Sequence, residues 1–216
     1  MPTNHDLDEL GRIATRVRVQ PDWNLFAEYC EFRGKGERQK AFASLESFLT
    51  QAASWTYSAR LNFTRATLGL SARFDHNEIL LPQPLIRNLV VPTLREWREH
   101  EPSTAEASLW LGLLRCDNPT DHLTEALVLD PNCEEARRTL TDWILSDIEY
   151  NQHELPAFYI HDPRIDLAAL DRAIELASGS RSIEWRTMIQ QEADELRLNA
   201  LRWLAAHPAE GDFASR

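Results

Sequence analysis

A histidine followed directly by an aspartate, His161-Asp162, is the dipeptide of this sequence best suited to metal chemistry. Imidazole nitrogens and carboxylate oxygens both bind divalent transition metals, but a site needs several such ligands. Further candidates stand in the same half of the chain: Asp121, His122, His153, Asp166 and Asp171. A structural role competes, because Asp162 precedes Pro163 and an aspartate before a proline can cap a helix. The pattern predicts either part of a metal site or a capped helix start.

The same dipeptide is similar to the adjacent metal-binding histidine and aspartate of the HD phosphohydrolases, an all-helical family. The resemblance implies a metal-dependent hydrolase centred on His161 and Asp162, and it covers these two residues alone. No other enzyme signature accompanies it, since His153-Glu154 lacks the second histidine of a zincin helix and no serine stands in a GxSxG motif. We therefore keep the hydrolase as an alternative and expect no catalytic residue, resident metal or cofactor.

Nucleic-acid binding through residues 33–73 is a second alternative. This segment combines Arg33, Lys35 and further arginines with Trp55 and Tyr57, and basic side chains interleaved with aromatic ones can contact phosphates and bases. It lacks the GK[ST] ending of a phosphate-binding P-loop. Residues 1–100 hold 13 Lys+Arg against 12 Asp+Glu, so the positive excess is small. That balance favours a solvated helix face over a nucleic-acid site.

The acidic character of the chain is confined to its second half. Residues 101–216 hold 10 Lys+Arg against 22 Asp+Glu, in a chain whose net charge is −11. Glu135, Asp142 and Glu149 recur every seven positions, which aligns them on one face of a helix. A field of one sign speeds encounter with an oppositely charged partner, and aromatic residues anchor such contacts. The residues expected to contact a basic protein partner are Glu135, Asp142, Glu149, Tyr150, Tyr159 and Asp162.

Apolar residues recur at helical spacing along most of the chain, which predicts an all-α fold. Residues 55–81 also fit the alternation of a strand, and we interpret them as a helix. Pro92 is expected to kink or split the helix that contains it, because proline removes a backbone donor. The whole pattern indicates roughly nine helices, stacked as antiparallel hairpins in a regular or irregular bundle.

Three helix starts are predicted in the acidic half, at Asn118-Pro119, Asp130-Pro131 and Asp162-Pro163. Each dipeptide places a side-chain acceptor at the N-cap position and a proline at the first helical position. The helix after Pro163 is expected to end at Gly179, and a long helix should run from about Ser182 to Ala206. Phe158 and Tyr159 fall in the loop before Asp162 and are expected to be exposed.

Residues 109–114, followed by residues 125–131, resemble a tetratricopeptide repeat, whose first helix carries a Trp, Leu and Gly cluster and whose second ends in alanine and proline. The matching residues are Trp110, Leu111, Gly112, Ala126 and Pro131. Gly112 and Ala126 are only 14 residues apart, so the hairpin would be shorter than that of the family. The resemblance implies a protein-binding surface on stacked helices.

The 216 residues suit a single helical domain, which the charge distribution allows to be subdivided into a near-neutral half, 1–100, and an acidic half, 101–208. Residues 209–216 are expected to form a flexible tail. The three cysteines have unrelated spacings, which indicates reduced thiols. No long apolar stretch is present, so we expect a cytoplasmic protein without membrane contact.

These patterns together predict a non-enzymatic protein-binding module that engages a basic protein through an acidic helical surface. An inhibitor of the immunity or antitoxin type is one concrete form, since acidic proteins of that kind neutralise cationic toxic enzymes. An adaptor or assembly factor fits equally well.

Overall fold

The computed structural model describes residues 4–71, 74 and 77–208, and all regular secondary structure within them is helical. The all-α prediction is therefore confirmed. The chain divides into two compact units, Met1–Pro102 and Ser103–Arg216, which are described separately. The expected flexible tail at 209–216 and the basic residue Arg73 lie outside the described residues.

The first unit is built around aromatic side chains from three successive helices. Phe26, Phe48 and Phe63 are fully buried, with ring centroids 5.0 Å apart for Phe26 and Phe63 and 4.8 Å apart for Phe48 and Phe63. Tyr29 donates a hydrogen bond of 2.5 Å to the carbonyl of Ile79. The helices are α1 (Asn4–Val17), α2 (Asn24–Gly34), α3 (Arg38–Ala52), α4 (Tyr57–Ser71), α5 (Gln83–Leu85) and α6 (Val91–His100).

Helix α4 confirms the helical interpretation of residues 57–71, whereas the remainder of the 55–81 segment includes a short 3₁₀ turn at Asn77–Ile79. The helix around Pro92 is interrupted, as expected, since α6 begins at Val91 with Pro92 in its first turn. The preceding backbone adopts π-helical hydrogen bonding over Ile86–Val90, and the amide of Val91 donates to the carbonyl of Ile86. Proline has no backbone N–H to donate to the carbonyl four residues earlier. A π-helical turn accommodates the missing hydrogen bond because it is wider than an α-helical one.

The second unit, as far as it is described (103–208), carries the acidic half of the sequence on five helices that pack against their neighbours. Leu145 and Ile148 meet Leu170, Ala173 and other small or aliphatic residues in one buried cluster. Leu123 and Ala126 form a second cluster with residues of the next two helices. The helices are α7 (Ala105–Leu113), α8 (Pro119–Leu129), α9 (Glu134–Gln152), α10 (Pro163–Ser178) and α11 (Ile183–Ala206).

Only one of the three predicted side-chain N-caps forms. The Asp162 carboxylate accepts a 3.0 Å hydrogen bond from the amide of Arg164 at the start of α10. Asn118 precedes α8 but is left-handed, at φ 53°, and its side chain makes no cap bond. Asp130 instead ends α8 and accepts from the amide of Asn132, so α9 begins three residues later than expected, at Glu134. An Asx turn therefore replaces the expected cap.

Cys30 is buried, and Cys116 and Cys133 are half-buried; all three are free thiols. Among the helices described, none combines the length and the apolar character that a membrane crossing requires.

Candidate functional site

A buried polar network joins the end of α9 to the start of α10 in the second unit. The Tyr159 hydroxyl donates to Asp166 Oδ2 over 2.8 Å and accepts from Gln152 Nε2 over 3.0 Å. Asn151 Nδ2 lies 3.1 Å and 3.2 Å from the two Asp166 oxygens. Gln152 also donates to the carbonyl of Leu196 on α11, over 2.9 Å. Three helices and the intervening loop are thereby held together by one set of hydrogen bonds.

The centre of this network is a carboxylate withdrawn from water. Asp166 is 3% exposed and Tyr159 is 1% exposed. Burial raises the pKa of Asp166, although the hydrogen bonds from Tyr159 and Asn151 oppose that shift. Burial and the neighbouring carboxylate also raise the pKa of Tyr159, which keeps its hydroxyl a donor. A basic group beside it is His161, whose Nδ1 lies 3.9 Å from Asp166 Oδ1.

An open groove of about 360 Å³ leads to this carboxylate. Its apolar wall comes from Ile144 and Ile148 on α9 and from Ile165 and Ala169 on α10. Its polar lining is Asp147, Tyr150, Asn151, His161 and Asp166. Tyr150 is 64% exposed and Ile165 is 55% exposed, so the rim offers an aromatic ring and an aliphatic side chain to solvent.

A separate acidic surface runs along α9 and α11. It consists of Glu135, Asp142, Glu149, Glu192 and Glu195, of which Glu192 is half-buried and the others are exposed. Burial, together with the charges of Glu149, Asp142 and Glu195, raises the pKa of Glu192. Like charges on neighbouring helices disfavour the ionised form of a carboxyl group, which is the direction of the Glu192 shift.

The remaining expected contact residues divide into exposed and buried ones. Tyr150 is exposed and stacks on His153, with ring centroids 5.0 Å apart, and Asp162 is half-buried at its cap. The expected exposure of Tyr159 is wrong, because its ring packs against Trp203 and its hydroxyl is occupied by Gln152 and Asp166. Phe158, its neighbour, is 55% exposed as expected.

Several carboxylates that we counted toward the acidic excess are neutralised locally. Asp171 and Asp194 both pair with Arg197, at 2.5 Å and 3.5 Å, and Glu175 pairs with Arg172 at 2.8 Å. Asp166 is buried rather than solvated. Asp171, Asp194 and Glu175 therefore add less to the negative field of the second unit than their formal charges indicate.

The metal alternative gains no support from the residues the structure describes. Asp162 serves as a helix cap, and the exposed His161 faces the buried Asp166. Within the described part of the chain, no three His, Cys, Asp or Glu side chains gather as a metal site requires.

The basic segment at 33–73 also differs from the arrangement a nucleic-acid site needs. Lys35 pairs with Glu31 at 2.6 Å, Lys40 pairs with Glu37, and Arg60 pairs with Glu96 at 2.5 Å. Trp55 packs edge-on against Phe48 and Phe63, and the Tyr57 ring packs at a tilt against His100. Half of the six basic residues that the structure describes in this segment are thus paired with carboxylates, and both aromatic rings are engaged within the fold.

Asn151, Gln152 and the groove itself were not expected from the sequence. A signal was present, because Gln152 continues the buried stripe of Leu145 and Ile148 at intervals of three and four residues. Asp166 likewise falls in register with Leu170 and Ala173 on the buried face of α10. A polar residue on an apolar stripe indicates a buried hydrogen-bond network.

Tyr159→Phe is expected to lower the free energy of unfolding by about 1–3 kcal/mol at neutral pH, because it removes a donor to a buried carboxylate. The folded-state pKa of Asp166 is raised, so the stability it contributes is present below its unfolded pKa and is lost as the pH rises through the folded value. Losing the Tyr159 donor raises that pKa further, so the deficit should be smaller in acid. Urea unfolding at acidic and neutral pH measures both effects.

Tyr150→Phe is the control for this change, since the Tyr150 side chain is exposed and its loss of a hydroxyl should cost less than about 0.5 kcal/mol. Equal costs for the two variants, or a Tyr159→Phe deficit that does not depend on pH, would contradict the assignment of the network.

No protein-family model matches this chain, and comparison with curated proteins and solved structures yields no significant match. The chemistry of the second unit is therefore the basis for the function proposed below.

Proposed function

We propose that this chain is a non-enzymatic protein-binding module whose second unit engages a basic protein partner through the acidic surface. The observation that carries the proposal is the exposure of Glu135, Asp142 and Glu149 on one face of α9, a helix whose buried residues pack in one cluster with those of α11, the helix that carries Glu192 and Glu195. Like charges held together on a folded surface repel one another, and a cationic partner relieves that repulsion. An inhibitor of the immunity or antitoxin type and an adaptor are the two concrete forms consistent with this chemistry.

The proposed use of the surface is to steer association. Glu135, Asp142 and Glu149 lie exposed on α9, at the seven-residue spacing that keeps them on one side of the helix. Exposed charges change the association rate and its salt dependence more than they change the dissociation rate. Affinity would then come from less polar groups nearby, of which the exposed Tyr150 is the best placed on α9.

A tetratricopeptide-like arrangement of α7 and α8 is the structural part of the proposal. Gly112 and Ala126 are both buried, and an added Cβ at Gly112 would lie 2.5 Å from Leu123 Cγ on α8. A small residue at such a close helix contact is in keeping with the resemblance that Trp110, Leu111 and Gly112 suggest. The connection is short, and Arg115, two residues after the end of α7, is left-handed at φ 52°.

The test is reversal of three surface charges, Glu135→Lys, Asp142→Lys and Glu149→Lys, in one variant. The matched control reverses three exposed acidic residues of the first unit, Asp8, Glu46 and Glu99, so that both variants carry the same net charge. Binding of a fluorescent octalysine peptide is followed by anisotropy at several salt concentrations. We expect the α9 variant to bind the peptide about tenfold more weakly than the control variant, and with a shallower salt dependence. The two variants have the same net charge, so the difference reports the negative field at the α9 surface.

If both variants weaken binding equally, only the net charge matters and the proposed surface is wrong.

A second experiment seeks the natural partner by affinity capture from native extract with wild-type, control and α9-reversed protein. A basic protein retained by the first two and lost from the third is the expected partner. Retention by all three proteins would argue against the acidic surface.

A further inference from the structure

The groove between α9 and α10 holds a buried charge without a strong counter-ion. Among the described residues, His161 is the only basic group beside Asp166, and the His161 side chain is 53% exposed. Buried carboxylates are normally paired with a lysine or an arginine, because the loss of hydration is costly. A carboxylate that opens onto a groove can obtain that partner from another molecule.

The hydrogen bonds of Asp166 leave room for such a partner. Two donor groups, the Tyr159 hydroxyl and the Asn151 amide nitrogen, account for its three side-chain contacts. A carboxylate has about four acceptor positions, so it can accept a further donor. The network also fixes the orientation of the carboxylate in advance, which reduces the entropy lost on binding.

The walls of the groove favour arginine over lysine. Ile144, Ile148 and Ile165 provide apolar surface for an aliphatic stem, and Tyr150 presents an exposed ring at the rim. A guanidinium is planar, less strongly hydrated than an ammonium, and stacks on aromatic faces. Asp147, on the α9 side of the groove, adds a second carboxylate. A volume of about 360 Å³ leaves room for a whole side chain.

We propose that this groove binds an arginine side chain of the basic protein partner, with Asp166 as the buried acceptor and Tyr150 and Ile165 covering the stem. The inference rests on the proposed function, because it names the side chain through which that partner is anchored. The acidic surface attracts the partner, whereas the groove selects one of its residues.

The preference for arginine over lysine is tested with two peptides, tetra-arginine and tetra-lysine, both acetylated and amidated. Binding of each peptide to the full chain is followed by fluorescence anisotropy at low salt. We expect the wild type to prefer the arginine peptide by about tenfold, the effect of one well-oriented charged pair. Asp166→Asn should abolish that preference, so that the variant binds the two peptides about equally. Asp121→Asn, an exposed carboxylate elsewhere in the same unit, removes the same charge and should keep the preference.

Tyr150→Ala and Ile165→Ser serve as further variants, because both side chains are more than half exposed and neither substitution should unfold the protein. Each should lower the arginine preference about threefold by removing a contact to the stem. In NMR spectra of the wild type, the side-chain amide of Asn151 should shift with tetra-arginine and not with tetra-lysine.

An unchanged arginine preference in Asp166→Asn and Tyr150→Ala would overturn the inference and leave the proposed function intact. Equal affinity of the wild type for the two peptides would have the same consequence. If neither peptide binds the wild type at low salt, the proposed function fails and the inference fails with it.

Discussion

Replacing Arg137 with methionine is expected to lower the free energy of unfolding of the second unit by about 2–4 kcal/mol, one of the two largest effects predicted for this protein. Arg137 is 8% exposed, and its guanidinium donates to the carbonyl of Leu176 over 2.8 Å and to that of Pro131 over 2.6 Å. Methionine preserves the length of the side chain and much of its packing. The decrease in the free energy of unfolding therefore measures the loss of a charged hydrogen-bond donor to the two carbonyl groups.

The position of Arg137 explains why the effect should be large. The carbonyl of Leu176 belongs to the last turn of α10, where the helix dipole favours a positive charge; the amide of Gly179 also donates to it, over a longer 3.2 Å. Gly179 follows that turn, and a Cβ there would lie 2.3 Å from Arg137 Nη1. Gly179 has φ −77°, so it is present for the close approach of the arginine and not for a left-handed backbone.

A double-mutant cycle checks this account by urea unfolding monitored with tryptophan fluorescence. Gly179→Ala alone should destabilise the unit, because the guanidinium must leave its two acceptors. In the Arg137→Met background the same substitution should cost little, so the two effects should not add. Arg138→Met is the control, since Arg138 is exposed and lies over Trp185, and it should cost less than about 1 kcal/mol. Additive effects at Arg137 and Gly179 would refute the proposed contact.

Gly112→Ala is the second large effect and reverses the usual sign of a helical glycine substitution. At an open helical position, alanine is about 1 kcal/mol more favourable than glycine. At Gly112 the new Cβ would lie 2.5 Å from Leu123 Cγ, 2.6 Å from Leu123 Cδ2 and 3.1 Å from the carbonyl of Pro119. Leu123 is fully buried and the carbonyl is backbone, so α7 and α8 must separate. We expect a loss of about 1–3 kcal/mol, typical of an overpacked core.

Gly69→Ala provides the comparison, because no atom lies within 4 Å of a Cβ at this glycine of α4, and it should stabilise the protein. Leu123→Ala combined with Gly112→Ala should be less destabilising than the sum of the two single substitutions. The shorter side chain at position 123 makes room for the new Cβ at position 112, and that Cβ fills part of the cavity. Thermal unfolding of the four variants gives the result. A stabilising Gly112→Ala would show that α7 and α8 do not pack closely at this glycine.

The helical pattern of this chain could be predicted because it depends on local spacing. The long helix predicted from Ser182 to Ala206 corresponds to α11, and the Asp162 cap forms where an acceptor, a proline and an apolar period coincide. The two other X-Pro dipeptides share the first two features and fail as caps. Asn118 takes a left-handed conformation after the tight end of α7, and Asp130 is used to end α8. Neighbouring elements, rather than the dipeptide, decide between a cap and a turn.

The acidic surface could be predicted in part for the same reason. Glu135, Asp142 and Glu149 share a helix face, and this follows from the seven-residue period alone. The contribution of Glu192 and Glu195 from α11 depends on which helices pack together, and local sequence spacing does not predict that pairing. The pairing of Asp171 with Arg197 is equally a consequence of packing.

By itself, then, the sequence determined the helices, the concentration of acidic charge in the second half and the capped start of α10, because each depends on residues within a few positions of one another. Only the tertiary structure decided that Tyr159 is buried, that Asp166 lies at the base of a groove and that Gln152 joins three elements. Those features arise where residues distant in sequence exclude water together. Burial then changes a carboxylate from a solvated charge into an acceptor that needs a partner.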